Sequence, residues 1–190
     1  FQARYPRVQL SLLNVNSERI AEALLRGELD LGFVEGRTKN RDLHYELLLP
    51  DELVAVRQPT PAGSPPRPLP LAEVLASPLV LRERGSRTLD VLETALRERK
   101  IKLGELKTAI YLDSTEAIKT YLEAAPGAVG FVSRQALRRE LASGLLEEIP
   151  VQGFTLPRQF EAVWVQGQPL TRTAQRFWSF AQQQAGSKAR

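Results

Sequence analysis

The sequence predicts an α/β fold with largely parallel strands, because short apolar segments typical of strands alternate with amphipathic segments typical of helices. At 190 residues the chain is long enough to bury a sizeable core as one large or two small domains. Its contents of 43% hydrophobic and 25% charged residues are ordinary for a globular protein. No apolar segment approaches the roughly 20 residues that cross a bilayer, so no membrane-spanning helix and no membrane partner are expected.

The first third of the chain contains one clear helix between strand-like segments. The helix is predicted over 17–26, and Gly27 follows it as a favoured C-terminal residue. Its apolar residues recur at helical spacing on one face, namely Ile20, Ala21, Leu24 and Leu25. The strand-like segments of this part are 8–13, 29–34, 43–49 and 53–56. A turn is predicted at Pro50-Asp51, between the last two of them.

The rest of the chain continues the alternation after a loop. Residues 59–70 are the stretch richest in proline, glycine and serine, so they predict a surface loop rather than a central strand. Helices are then predicted over 71–75, 89–99, 117–123, 135–141 and 171–183. Strands are predicted over 79–81, 108–112, 128–132, 145–149 and 160–165. The final residues, 185–190, are expected to fray from the last helix.

Three predicted helix starts carry hydroxyl or amide side chains directly after a strand. They are Asn16-Ser17, Ser86-Arg87-Thr88 and Asp113-Ser114-Thr115. Free backbone N–H groups and the positive end of the helix dipole make such places natural anion sites. In an open α/β sheet, ligands bind beyond the carboxyl ends of the strands. We therefore predict a shared small-anion site formed by Asn16, Ser17, Ser86, Arg87, Thr88 and Ser114.

Helix capping is the alternative interpretation of these three starts. Ser, Thr, Asp and Asn are favoured N-cap residues, and Asp113 with Glu116 fits a capping box that needs no ligand. Two features of the second start favour a ligand, because Gly85 lets the backbone approach it and Arg87 can grip an oxyanion with two hydrogen bonds. The sequence leaves both interpretations open.

Three other residues are candidates for this site. Glu35 follows a buried strand, so its carboxylate is either solvated or placed to pair with Arg87 or with the ammonium of an amino-acid-like effector. Phe131 and Val132 end another strand and could line the pocket, although such residues more often belong to a core. His44 alternates with apolar neighbours on the wet face of its strand, so neither a catalytic nor a metal-binding role is expected for it.

Enzymatic function is not favoured by the sequence. One histidine and no cysteine cannot build the usual zinc site. The chain contains no nucleophile elbow, no P-loop and no dinucleotide-binding motif after a strand. We therefore expect no catalytic residues, no metal and no cofactor. The net charge of +4 does not itself indicate nucleic-acid contact, because the basic residues of 82–102 are not interleaved with aromatic side chains on which bases stack.

Five segments resemble those of LysR-type transcription regulators. They are Arg4-Tyr5-Pro6-x-Val8, Gly27-Glu28-Leu29-Asp30-Leu31-Gly32, Leu81-Arg82-Glu83-Arg84-Gly85-Ser86-Arg87-Thr88, Ser114-Thr115-Glu116-Ala117-Ile118-Lys119 and Gly130-Phe131-Val132-Ser133-Arg134. Each segment alone is a weak signal, but their order and spacing together are fairly specific. The resemblance extends over nearly the whole chain, from 5 to 180.

The resemblance implies an effector-binding domain of two Rossmann-like α/β lobes, similar to a type 2 periplasmic binding protein and joined by two crossing strands. Lobe one would comprise 1–57 and 158–190, and lobe two 58–157. A small anionic effector would bind in the cleft between the lobes. Two domains would pair antiparallel in a homodimer or homotetramer, with helix 17–26 near 115–123 of the partner. The implied function is effector sensing and dimerisation in a cytoplasmic DNA-binding regulator.

The resemblance also implies parts that this sequence does not contain. The first strand of lobe one and a winged helix-turn-helix domain would precede Phe1, so DNA contact is expected only through that missing domain. Ala125-Pro126-Gly127 replaces the Ala-Gly-x-Gly turn that is usual in the family, which predicts an altered helix exit. A solute-binding protein of a transporter, with the same two-lobed fold, is the alternative function, and an enzyme on this fold is the third.

Overall fold

Two units make up the structure, a computed structural model that describes residues 1–35, 40–60 and 67–188. Unit 1 comprises Phe1–Pro50 and Gln159–Arg190, and unit 2 comprises Asp51–Arg158. Both contain helices packed on strands, which confirms the predicted α/β class. The chain passes from one unit to the other within two long strands, β2 (Leu43–Arg57) and β7 (Leu156–Val165).

Unit 1 packs helix α1 (Ser17–Leu25) against its strands. Strand β1 (Gly32–Glu35) pairs antiparallel with β7. The buried core residues of this unit include Ile20, Leu24, Val34, Leu43 and Val163. A Cβ atom at Gly32 would lie 2.5 Å from Ile20 Cγ2, so the absence of a side chain lets α1 approach the strand. Helix α6 (Arg172–Lys188) follows β7 and ends the described chain.

Unit 2 is built on a sheet with the order β2–β5–β3–β4 and with β6 beside β2. Its other strands are β3 (Leu79–Arg82), β4 (Thr108–Leu112), β5 (Val129–Ser133) and β6 (Glu147–Ile149). Its helices are α2 (Leu71–Ala76), α3 (Arg87–Glu98), α4 (Thr115–Ala124) and α5 (Arg138–Ser143), with 3-10 turns at Leu103–Glu105 and Arg134–Leu137. Strand β3 pairs in parallel with β4 and β5, whereas β2 pairs antiparallel with β5.

The sheet of unit 2 separates two cores. The first contains Leu79 and Leu81 of β3 with Leu89, Leu92 and Leu96 of α3. The second contains Val80 of β3 with Ile118 and Leu122 of α4. Successive side chains of a strand point to opposite faces, so α3 and α4 cover opposite faces of the sheet. Each helix follows the carboxyl end of a parallel strand, and both therefore begin at the same edge.

The predicted strand over 8–13 is wrong. These residues are irregular, and no strand among the described residues pairs with them. Leu10 and Leu13 are about half exposed and Leu12 is 94% exposed. A strand needs a neighbour that satisfies its backbone N–H and C=O groups, so an apolar, β-rich composition alone does not produce one.

The predicted turn at Pro50-Asp51 is also wrong, because β2 continues through both residues. Asp51 is buried within the strand, where its carboxylate accepts a hydrogen bond from the Ser133 hydroxyl, so its polar side chain is satisfied without a turn.

Two smaller differences concern α1 and the last helix. In α1, Leu25 is exposed and Ala23 takes its expected place in the core. The last helix continues to Lys188 instead of fraying from 185. Residues 61–66 of the predicted loop lie outside the described residues.

Candidate functional site

The turn before α3 places three of the predicted residues at a helix start. Gly85 has a φ of +84°, a left-handed conformation that favours glycine. Ser86 is the N-cap residue, and its Oγ accepts a hydrogen bond from the Leu89 N–H at 3.2 Å. Arg87 and Thr88 begin the helix, where backbone N–H groups have no partner within the helix. The start of α3 thus offers donors at the positive end of the helix dipole.

The start of α4 lies at the same edge of the sheet. Ser114 caps α4, since its Oγ accepts a hydrogen bond from the Ala117 N–H at 3.1 Å. Arg82, at the end of β3, donates from Nη2 to the backbone oxygen of Asp113 at 3.1 Å. This bond ties the loop before α4 to the end of the parallel strand beside it. The structure therefore places four predicted residues of unit 2 at the same edge of the sheet, namely Ser86, Arg87, Thr88 and Ser114.

A buried ion pair supports the start of α3. Arg158 donates from Nε to Asp51 Oδ2 at 2.6 Å and from Nη1 to Thr88 Oγ1 at 3.2 Å. The Ser133 hydroxyl donates to the same Asp51 oxygen at 2.8 Å. The side chains of Arg158 and Asp51 are 3% and 0% exposed. Thr88 is therefore held by a hydrogen-bond chain that reaches β7, β2 and β5 within unit 2.

Arg158 is a cation at neutral pH in spite of its burial. Burial lowers the pKa of its guanidinium to about 10, which is still well above neutrality. Because the Thr88 oxygen accepts a hydrogen bond from this cation, the Thr88 O–H remains able to donate. A hydroxyl donor that is fixed in this way suits an anionic acceptor.

Of the three predicted residues at this helix start, Arg87 is the most exposed. Ser86 and Thr88 are 2% and 7% exposed, whereas Arg87 is half-buried. The two hydroxyl side chains are therefore fixed in position, and the more exposed Arg87 provides a cation in a first turn that also contains the exposed carboxylate of Asp90. This division suits a site that orders its donors before the ligand arrives.

The Ser114–Lys119 segment also forms a second buried ion pair. Lys119 Nζ lies 3.1 Å from Glu140 Oε1 and 2.8 Å from Glu116 Oε1, and it donates to the Ala136 backbone oxygen at 3.1 Å. Burial lowers the pKa of the Lys119 ammonium, but hydrogen bonds and attraction from the two carboxylates outweigh burial and leave that pKa above its ordinary value. The lysine of this segment therefore ties α4 to α5 rather than facing a ligand.

The predicted capping box of Asp113 and Glu116 is not formed. Ser114, and not Asp113, is the N-cap residue of α4. Glu116 instead pairs with Lys119 one turn further along the helix. The lysine at this spacing is the stronger partner for the carboxylate, because its charge attraction adds to the hydrogen bond.

Three predicted residues belong to unit 1. Asn16 caps α1, where its Oδ1 accepts a hydrogen bond from the Arg19 N–H at 2.9 Å. Ser17 is the first residue of that helix, and Glu35 is the half-buried last residue of β1. Asn16 thus performs the capping role that the sequence left open. The predicted pairing of Glu35 with Arg87 stays a prediction.

Phe131 and Val132 are core residues of unit 2. Phe131 is 3% exposed and its ring packs edge to face on that of Phe154, with the centroids 6.4 Å apart. Val132 is 2% exposed and packs on the opposite face of the sheet, in the core beneath α4. These positions favour the alternative interpretation, in which both residues stabilise the fold.

The residues that support the helix start were not predicted from the sequence. Arg158 shares the period-two face of its strand with the buried Leu156, so a charged residue on an apolar face was an available signal. Asp51 was not identified because the preceding proline suggested a turn.

His44, which was expected on a wet face, lies against Trp164 with the ring centroids 4.4 Å apart. Across the described ranges, no cluster of metal-ligating side chains is present and no helix is long and apolar enough to cross a membrane.

The chain is similar in sequence to transcription regulators of known families. The profile of the LysR substrate binding domain matches residues 1–186. The HTH-type transcriptional regulator YeiE of Escherichia coli K12 is 33% identical over 160 residues, which cover 84% of this chain and 52% of YeiE. The HTH-type transcriptional activator CmpR of Synechocystis sp. PCC 6803 is 27% identical over 191 residues, which cover 100% of this chain and 62% of CmpR.

A solved structure supports the same fold. The regulatory domain of CcmR from Synechocystis PCC6803, in complex with 2-PG, has a TM-score of 0.82 and 24% sequence identity, and the match covers 97% of this chain and 86% of that chain. These comparisons confirm the resemblance stated from the motifs and the periplasmic-binding-protein-like fold. They also confirm that the family is one of regulators and not of enzymes. The chain spans little more than half the length of the two curated relatives.

Proposed function

This chain belongs to the LysR substrate binding domain family, and from that membership we propose that it is the effector-sensing domain of a DNA-binding transcription regulator. The proposal assigns small-molecule binding to the residues described above. DNA binding is assigned to a winged helix-turn-helix domain that is not part of this sequence. The HTH-type relatives, which are longer than this chain, support this division.

The proposal rests on the arrangement of donors at the start of α3, where Arg158 donates a hydrogen bond to Thr88. Two backbone N–H groups, the Thr88 hydroxyl and the Arg87 guanidinium all offer donors there, and Arg158, whose charge is balanced by Asp51, holds the Thr88 side chain in place. Each of these groups lowers the energy of an anion and raises that of a cation. We therefore assign a small anion as the effector, with Ser114 at the neighbouring helix start as a further contact.

The effector is proposed to be a compact oxyanion or carboxylate. The CcmR regulatory domain was solved with 2-PG, and that small ligand supports the same size class here. Asn16, Ser17 and Glu35 of unit 1 remain proposed effector contacts. Units 1 and 2 support the proposal of two lobes, and the unpaired segment 8–13 supports the proposal of a further strand beside it. We propose pairing of two or four such chains and, because the regulator acts on DNA, a cytoplasmic location.

Removing one donor at the start of α3 is expected to weaken effector binding about tenfold, because a bound anion loses one charge-assisted hydrogen bond. The variants are Thr88→Ala and Arg87→Gln. Effectors are first found as ligands that raise the melting temperature, in a panel of sulfate, phosphate, sulfite, carboxylates and amino acids. The affinity of the best ligand is then measured by calorimetry.

Two exposed residues of the same helix provide matched controls. Thr94→Ala and Arg97→Gln make the same chemical changes on the solvent side of α3 and are expected to leave the affinity within about twofold. Thr88→Ser keeps the hydroxyl and should retain most of the binding. An affinity that is unchanged in both Thr88→Ala and Arg87→Gln contradicts the assignment of the site.

A further inference from the structure

The N-terminal segment of the chain lies on α6 in unit 1. The Phe1 ring contacts those of Phe177 and Phe180, with centroid distances of 5.0 and 5.7 Å. Phe1 also packs against Tyr5, with the centroids 4.7 Å apart. This aromatic cluster fixes the position of Tyr5 and its neighbour Arg4 above the helix.

A cavity of about 280 Å³ opens between this segment and α6. Its lining consists of Arg4, Tyr5, Arg172, Gln175, Arg176, Ser179, Phe180 and Gln183. The lining includes three guanidinium groups, and every other polar side chain in it can donate a hydrogen bond, but it includes no carboxylate. The sequence of α6 contains no acidic residue at all.

Within the part of the chain that the structure describes, the three arginines of this cavity have no anionic partner. None of the ion pairs among the described residues involves Arg4, Arg172 or Arg176. Arg172 and Arg176 are four residues apart on one helix face, a spacing at which like charges repel. The guanidinium carbons of Arg4 and Arg176 lie 5.7 and 5.8 Å from the centroid of the Tyr5 ring, so one aromatic ring orients both cations.

We propose that this cavity is a second anion site, which binds a phosphate-like or carboxylate group of a small molecule. Arg172 and Arg176 supply the charge, Arg4 closes the site from the other side, and the Tyr5 hydroxyl with Gln175 completes the donor set. A bound oxyanion relieves the repulsion between the two helix arginines and fills a cavity of suitable size. The site lies in unit 1 and does not depend on the effector site proposed at α3 in unit 2.

Inorganic phosphate is the probe for this site, and the 190-residue chain is titrated with it by calorimetry at constant ionic strength. Arg172→Gln/Arg176→Gln is expected to weaken phosphate binding about tenfold. Without phosphate, the same variant should melt close to the parent chain, because relief of the like-charge repulsion offsets the lost contact of Arg176 with the Tyr5 ring. Arg7→Gln/Arg138→Gln is the matched control, since both residues are exposed, neither lines the cavity and the net charge changes equally.

Three results with the parent chain and the arginine variants would each overturn the proposal. They are the absence of phosphate binding to the parent chain, equal binding by the Arg172→Gln/Arg176→Gln variant, and an equal loss of binding in the control variant. The last would show that only net charge matters. Thr88→Ala separates the two sites, because it should leave phosphate binding at the α6 cavity intact. Loss of all phosphate binding in Thr88→Ala would assign the anion to α3 and contradict the second site.

Discussion

Arg158→Met is expected to lower the free energy of unfolding of unit 2 by about 3–5 kcal/mol, because it leaves the buried Asp51 carboxylate without its counter-ion. The Ser133 hydroxyl and the Gln135 N–H remain near that carboxylate, at 2.8 and 3.4 Å, but neither carries a charge. Thr88 also loses the hydrogen bond that holds it at the start of α3. The change is therefore expected to weaken effector binding as well as stability.

Urea unfolding followed by far-ultraviolet circular dichroism measures this change. Fluorescence would report on the wrong unit, because both tryptophans, Trp164 and Trp178, belong to unit 1. Asp51→Leu/Arg158→Met removes both charges and should recover most of the lost stability. Arg97→Met breaks an exposed pair on α3 and should cost about 0.5 kcal/mol or less. A loss in Arg158→Met no larger than that in Arg97→Met would contradict the role of the buried pair.

Lys119→Met is expected to lower the free energy of unfolding by a similar amount, about 3–5 kcal/mol, because it leaves the buried Glu140 carboxylate without its counter-ion. Glu140 is 1% exposed, and its Oε2 has no hydrogen-bond partner among the described residues. Arg139 Nε lies 3.4 Å from the other oxygen, but the Arg139 side chain is 79% exposed and compensates only in part. The double variant Lys119→Met/Glu140→Leu should regain most of the stability.

The pH dependence of this loss provides a second readout. Burial raises the pKa of the Glu140 carboxyl, but its own backbone N–H, Lys119 and Arg139 together hold that pKa below its ordinary value. The parent chain therefore has this stabilisation above the unfolded pKa and loses it as the pH falls through the folded pKa. In Lys119→Met the lysine no longer opposes the effect of burial, so the pKa of the Glu140 carboxyl rises. Protonation of Glu140 on acidification then favours the folded state of the variant over its unfolded state. The stability deficit should shrink from about pH 7 to about pH 5, and a constant deficit would contradict this account.

Local signals in the sequence predicted most of the fold. Helices such as α1 and α4 follow from apolar residues at helical spacing and from a capping residue at the start, and both signals lie within one or two turns of the chain. The strand over 8–13 could not be judged in this way, because a strand depends on a neighbour that its own residues do not specify. The prediction of a turn within β2 was wrong for the same reason, since the residue that pairs with Asp51 in the strand is remote in sequence.

The candidate site was predictable to the same extent. Ser86 and Ser114 each bond to a backbone N–H three residues away, so their positions follow from the local sequence. Asp51 and Arg158 are 107 residues apart, and Lys119 and Glu140 are 21 apart. No local pattern pairs such residues, so the pairing of these buried charges becomes visible only in the folded chain.

The most direct test of the effector site is a titration of the ¹⁵N-labelled chain, followed by NMR, with the anion that raises its melting temperature most. The proposed site predicts that the largest chemical-shift changes occur at the backbone amides of Arg87, Thr88 and Leu89, at the start of α3. Thr88→Ala should reduce these changes, whereas Thr94→Ala should not. Changes confined to α6 around Arg172 and Arg176, with the α3 amides unmoved, would contradict effector sensing at α3.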